Sequence, residues 1–196
     1  TICVLGKNVS LVDNAVINAS GVAGGGTVMI GGGLQGKNPA LHNALTTFVG
    51  NGVTITADAK VNGDGGKVVV WSDDTTRFLG NISVRGGAQM GDGGFIEVSG
   101  KEYLTFKGKV DTQAPYGKTG LLLLDPANIV IADGTGDGGT LPDGPTTFKG
   151  EPSGTAGTIL SGDTGPTTIY ESEFEGLAAA TNISLAATNS ITINSL

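Results

Sequence analysis

GGKVVVWS (Gly65 to Ser72) returns as GGFIEVSG (Gly93 to Gly100) and, more loosely, as TGLLLLDP (Thr119 to Pro126), with an earlier copy in GGTVMIGG (Gly25 to Gly32). The spacing of about 28 residues marks a repeat architecture, in which no unit can bury its own apolar face and each must stack on the next. A second recurring line carries a phenylalanine: TTFVG at Phe48, TRFLG at Phe78, LTFKG at Phe106 and TTFKG at Phe148. Four of the chain's 6 phenylalanines thus recur at one place in one motif, and they are expected to form a structural ladder.

Within the Gly-Gly line, Val28, Val68, Ile96 and Leu122 are followed two residues later by Ile30, Val70, Val98 and Leu124. A period of two puts both sets on one face of a strand, and that face is the expected core. Met29, Val69, Glu97 and Leu123 lie between them and turn outward. Only one of these four is charged, so parts of the outer face are expected to be covered. After the phenylalanine line the chain turns and enters a third short strand through Val53 and Ile55, Ile82 and Val84, or Val110 and Thr112. Three strands and three turns per repeat predict an all-β fold, a parallel β-solenoid with roughly 28-residue coils. Stacking equivalent positions at about 4.8 Å would then put Val on Val and Phe on Phe.

Composition agrees with that class. The 196 residues include 35 glycines, only 15% are charged, and 38% are hydrophobic. Glycine without a strict triplet period excludes collagen, and β-branched runs argue against disorder. A net charge of −7, with 11 Lys and Arg scattered along the chain, makes nucleic acid a poor partner. No run approaches the ~20 apolar residues of a membrane helix, so membrane insertion is not expected. The single cysteine, Cys3, cannot form an internal disulfide.

Two insertions interrupt the repeat. Residues 33–46, GLQGKNPALHNALT, are expected to project as a loop or short helix from coils spanning 1–132. Residues 133–168 form a Gly/Pro/Asp/Thr-rich insertion that reads as long turns, and 169–196 read as a short helical turn followed by returning strands. The opening TICVLGKNVS lacks the regions of a signal peptide, so any export signal is expected upstream of it or already removed. The rhythm still running at Leu196 is what a piece of a longer solenoid would show.

The strings GDGGKVVVWSDDTTRFLGNISVRGG, GDGGFIEVSGKEYLTFKGKVDTQAP and GLLLLDPANIVIA, in that order, resemble the exoproteins of two-partner secretion, the filamentous haemagglutinin and high-molecular-weight adhesin group. The resemblance covers Gly63 to Ala132, and the tail YESEFEGLAAATNISLAATNSITINSL looks like the segment that follows in such proteins. It implies a right-handed parallel β-helix on a large secreted protein of the bacterial cell surface, exported through an outer-membrane pore partner. The recognition domain for that pore lies at the amino end of family members; its motifs are not matched in these residues, which look like shaft.

Few residues are placed for chemistry. Aligned Gly-Gly lines stack Gly24, Asp64, Asp92 and Lys118 at one position. The plain reading is that Asp favours turns before Gly; Asp64 and Asp92 as a Ca²⁺ site is the alternative, and catalysis comes third. His42 is the only histidine and has no evident partner for a triad or a metal. Glu171, Glu173 and Glu175 read as an exposed acidic rim. Trp71, Phe95, Leu121 and Leu123 turn outward and form a surface-contact candidate for a carbohydrate or a protein, unless the 33–46 loop or the glycine-rich insertion folds over them. The sequence therefore predicts no enzyme and no resident cofactor, but a structural and adhesive shaft with an unknown host-cell, surface or glycan receptor. Open sheet edges could also let copies join end to end as a homopolymer. The competing expectation is a polysaccharide-active β-helix enzyme at Asp64 and Asp92, or a carbohydrate-binding module.

Overall fold

The computed structural model describes residues 1–132, 167–178 and 181–194. Phe148 and all of the second insertion except Thr167 and Thr168 lie outside the described residues. The first pass of the chain lays down β1 (Ile2–Val4), β2 (Asn8–Leu11) and β3 (Val16–Asn18). The second gives β4 (Thr27–Ile30), β5 (Thr46–Val49) and β6 (Thr54–Thr56), and the third β7 (Lys67–Ser72), β8 (Thr75–Phe78) and β9 (Asn81–Ser83). Next come β10 (Phe95–Gly100), β11 (Tyr103–Phe106), β12 (Lys109–Asp111), β13 (Leu121–Leu124) and β14 (Asn128–Ala132). After the second insertion follow β15 (Thr168–Tyr170), the short helix α1 (Glu171–Glu175), β16 (Asn182–Leu185) and β17 (Ser190–Ile193).

Every named strand pairing is parallel. One six-stranded sheet runs β1-β4-β7-β10-β13-β16, and two four-stranded sheets run β2-β5-β8-β11 and β3-β6-β9-β12. Each pass therefore adds one strand to each of three sheets, an all-β architecture compatible with a parallel solenoid. The expected ladders lie in register: Val28 on Val68, Val68 on Ile96, Ile96 on Leu122, and Ile30 on Val70 on Val98. All eight inward residues of the Gly-Gly line are fully buried, as are Val53, Ile55 and Val84 of the third line. At the corner between the first and second sheets, buried threonines satisfy carbonyls that the turn would orphan. Thr47 Oγ1 donates to Trp71 O at 2.7 Å and Thr76 Oγ1 to Ser99 O at 2.8 Å.

The phenylalanine ladder is shorter than its motif suggests. Phe78 and Phe106 stack with ring centroids 5.7 Å apart and planes at 20°. Phe48, however, stands opposite Arg77, and it is Val49 that stands opposite Phe78. A one-residue slip in a strand reverses every side chain, so Phe48 faces away from the main core and packs with Val12 and Leu79. The cause is the turn. Val49 is six residues before Ile55, whereas Phe78 is four before Ile82, although Ile55 and Ile82 are partners. Two extra residues around Asn51-Gly52 absorb the difference.

The winding is interrupted beyond β13. β14 pairs with β15 on one side and β17 on the other, forming a sheet apart from the three long ones. Thr167 bridges the gap: its carbonyl accepts from Val130 N at 2.9 Å and its hydroxyl from Leu104 N at 3.0 Å. Helix α1 then turns Phe174 and Leu177 onto the core, and Ala178 N reaches Val110 O at 3.3 Å along the edge of β12. The acidic rim expected here is not fully exposed. Glu173 is half-buried, accepts from Tyr170 N at 2.9 Å and lies 4.0 Å from Lys107 Nζ. Among the described residues no helix is long and apolar enough to cross a membrane.

Candidate functional site: an open groove and a strapped face

The two ends of the Gly-Gly strands carry the residues singled out by sequence. At their leading ends a groove of about 820 Å³ crosses the passes, lined by Asp64, Asp92, Lys67, Phe95, Leu121 and Asn182 over a glycine floor. The floor is glycine because neighbouring passes touch there: a Cβ on Gly66 would sit 2.1 Å from Gly26 O, and one on Gly94 2.1 Å from Gly66 O. Those glycines permit strand stacking. Lys67 Nζ lies 5.4 Å from the centroid of the half-buried Phe95 ring, within range of a cation-π contact.

Asp64, Asp92 and Lys118 do come together in a stack. Asp64 Oδ1 accepts the backbone N–H of Asp92 at 2.7 Å, and Asp92 Oδ1 accepts that of Lys118 at 2.7 Å. Each exposed carboxylate thus ties its turn to the next. One oxygen of each remains, short of the six to eight oxygen ligands that Ca²⁺ takes. Among the described residues no group of three or more His, Cys, Asp or Glu side chains is placed to hold a metal.

At the trailing ends, residues 33–46 do not project. They fold back as a strap, with a single 3₁₀ turn at Leu34–Gly36, over the outer face of β7 and β10. Trp71 is the correction this requires: it is 4% exposed and cannot serve as a surface contact. Its indole Nε1 donates to Asp73 Oδ1 at 3.1 Å, and Asn43 Nδ2 of the strap donates to the same oxygen at 3.0 Å. Gly36 has φ +62, and a Cβ there would lie 2.6 Å from the indole nitrogen, so the strap can lie this close only with glycine. Phe95, Leu121 and Leu123 are half-buried and keep some exposed surface.

Sequence reasoning left Glu97 without a role, yet the strap centres on it. The side chain is 0% exposed. Gln35 N points at both carboxylate oxygens, 3.0 and 3.2 Å away, while its side-chain Nε2 donates to Asp125 Oδ2 at 2.6 Å. Gln35 takes the left-handed conformation, φ 52 and ψ 25, which a non-glycine residue adopts at some cost. Burial pushes the Glu97 carboxyl up to about 7; bonds from Gln35 N and Ser99 and the charge of Lys67 lower it, and Asp125 raises it. The signal in the sequence was one glutamate at an outward position whose equivalents are Met29, Val69 and Leu123. What hides it, a strap from 62 residues earlier in the chain, leaves no mark at Glu97 itself.

Chemically, the open groove offers hydroxyl, amide, carboxylate and aromatic contacts on a shallow surface. Of the two carboxylates bound by Gln35 of the strap, Glu97 is fully buried and Asp125 half-buried. No family model and no curated protein matches this chain.

Proposed function

We propose that the chain is a structural and adhesive segment of a secreted bacterial surface protein, a rigid shaft that works by reach, display and surface contact. In this reading it winds as a right-handed β-helix with coils of about 28 residues, the hand that parallel strand crossovers almost always take. Export through an outer-membrane pore partner follows from the resemblance to two-partner-secretion exoproteins. End-to-end joining of copies follows from the open edges of parallel sheets.

One observation carries the reading. The conspicuous polar residues are consumed by the stacking itself: Asp64 and Asp92 accept backbone N–H groups of the next pass, and Glu97 and Asp125 are bound by Gln35. Such a surface favours display over turnover. The test is attachment of beads coated with the chain to host cells and to bare surfaces, beside assays of acidic and neutral glycan cleavage. Saturable attachment without turnover is the expected result; cleavage that disappears in an Asp64→Asn, Asp92→Asn double variant would sink the reading.

A second reading, a carbohydrate-binding module, is favoured by the half-exposed Phe95 between Lys67 and Leu121 in the groove. Glycan-array binding abolished by Phe95→Ala would establish it, with the wild-type chain as reference.

A further inference from the structure

Over residues 33–42 the strap is held to the rest of the fold through Gln35, to Glu97 and to Asp125, and the bond to Glu97 falls on an ionisable group that is fully buried. Apart from Gln35, its internal hydrogen bonds are short-range: Gly36 N to Gly33 O at 2.9 Å, Lys37 N to Leu34 O at 3.0 Å and Leu41 N to Asn38 O at 3.1 Å. Its far end is the fixed hinge, pinned by Ala44 N to Gly31 O at 2.5 Å, Leu45 N to Lys7 O at 2.6 Å, Asp73 N to Ala44 O at 2.8 Å and Asp74 N to Leu45 O at 3.0 Å. Beneath it lie two buried side chains that touch it, Trp71 against Gly36 and Glu97 against Gln35 N.

We infer that residues 33–46 form a proton-gated clasp, shut over the outer face of β7 and β10 while Glu97 holds its proton and released as Glu97 ionises. An ionised carboxylate under the strap has lost its water and faces a second carboxylate, Asp125, across the Gln35 amide. The nearby positive groups compensate only in part. Lys67 lies on β7, and Lys37 of the strap spends its ammonium on Gln35 Oε1 at 2.9 Å. His42 of the strap is exposed, and Asp73, beyond β7, is bound to Trp71 and Asn43. On the other side, Ser99 is the polar neighbour on β10 itself. The neutral carboxyl needs only one oxygen to accept from Gln35 N, so the latch survives protonation of the other.

The sign follows from linkage. Closed, burial pushes Glu97 up to about 7; with the strap lifted it returns toward the ordinary glutamate range. The closed form therefore binds the proton more tightly, and raising pH through that window favours opening, by up to about tenfold per pH unit. Opening uncovers the Trp71 indole, which lies against Gly36 of the closed strap.

Hydrogen exchange of the full chain tests this, with rates corrected for the intrinsic pH dependence. The amides of Gln35 and Gly36 should lose protection by roughly tenfold to a hundredfold between pH 5 and 7.5. They should also exchange faster than the amides of Val70 and Val98, which report on the sheets beneath. Glu97→Gln, neutral at every pH, should abolish the pH response, and Asp125→Asn should move it to lower pH. The inference is overturned if wild-type strap protection is independent of pH, if it tracks Val70 and Val98, or if Glu97→Gln keeps the response.

Discussion

The leading and trailing ends of β7 and β10 belong to the same strands yet meet solvent in opposite ways. At the leading end Lys67 and Phe95 are half-exposed beside a glycine floor, and the polar groups nearby bond only to the adjacent pass. At the trailing end Trp71, Ser72 and Ser99 are buried, and Glu97, Asp125 and Asp73 accept hydrogen bonds from a strap far away in sequence. The leading end is built by repetition, the trailing end by one insertion that repetition does not contain. The difference separates what stacking supplies from what a single tertiary contact adds.

Replacing one aromatic at each end should give the largest contrast. Trp71→Ala leaves a cavity under the strap and removes the indole donor to Asp73 Oδ1, and is expected to cost about 3–5 kcal/mol by denaturant unfolding. Phe95→Ala removes a half-buried ring from an open groove and should cost about 1 kcal/mol or less. Limited proteolysis should then cut Trp71→Ala within residues 33–46 and spare Phe95→Ala. Equal costs would mean that the strap contributes no burial.

Glu97 sharpens the contrast next. Its carboxyl is pushed up to about 7 by burial, so the folded state binds this proton more tightly than the unfolded chain. Stability contributed by the protonated form is complete below about pH 4.5 and is lost as pH rises through 7. Glu97→Gln is therefore expected to be more stable than wild type at pH 8, by about 2–3 kcal/mol, and nearly equal to it at pH 4.5. Thermal unfolding at the two pH values reads the difference; a gap that widens toward acid would reverse the sign and refute the account.

Repetition also decided what was legible in the chain. The inward Val, Ile and Leu positions follow from alternation and recur, so the three sheets and the stack of Asp64, Asp92 and Lys118 could be read directly. Phe48 misled because its motif, Phe-x-Gly, repeats while the spacing after it does not: Phe48 is seven residues before Ile55 and Phe78 four before its partner Ile82, and the odd difference leaves the ring on the other face. Glu97, Gln35 and Asp125 were not legible as a group. No spacing connects them, and only the folded strap brings residue 35 over residues 97 and 125. Phe106→Ala against Phe48→Ala checks the corrected ladder: the first loses a stacked core ring, at about 3–5 kcal/mol, and the second should cost about half as much.

The smallest effect is expected at the open end, where the question is what the Asp64–Asp92 stack does. If Asp92 serves only to accept the N–H of Lys118, Asn supplies the same oxygen. Asp92→Asn should then sit within about 0.5 kcal/mol of wild type, while Asp92→Ala loses the bond and about 1 kcal/mol. A bound cation predicts another order: with Ca²⁺ present, wild type should gain melting temperature, and Asn, lacking the charge, should fall with Ala. Melting curves of the three proteins with millimolar Ca²⁺ and with chelator therefore distinguish a backbone staple from an ion site. Because the stack recurs at Asp64, Asp64→Asn should repeat the pattern, and the double variant should be additive if each carboxylate acts only on its own turn.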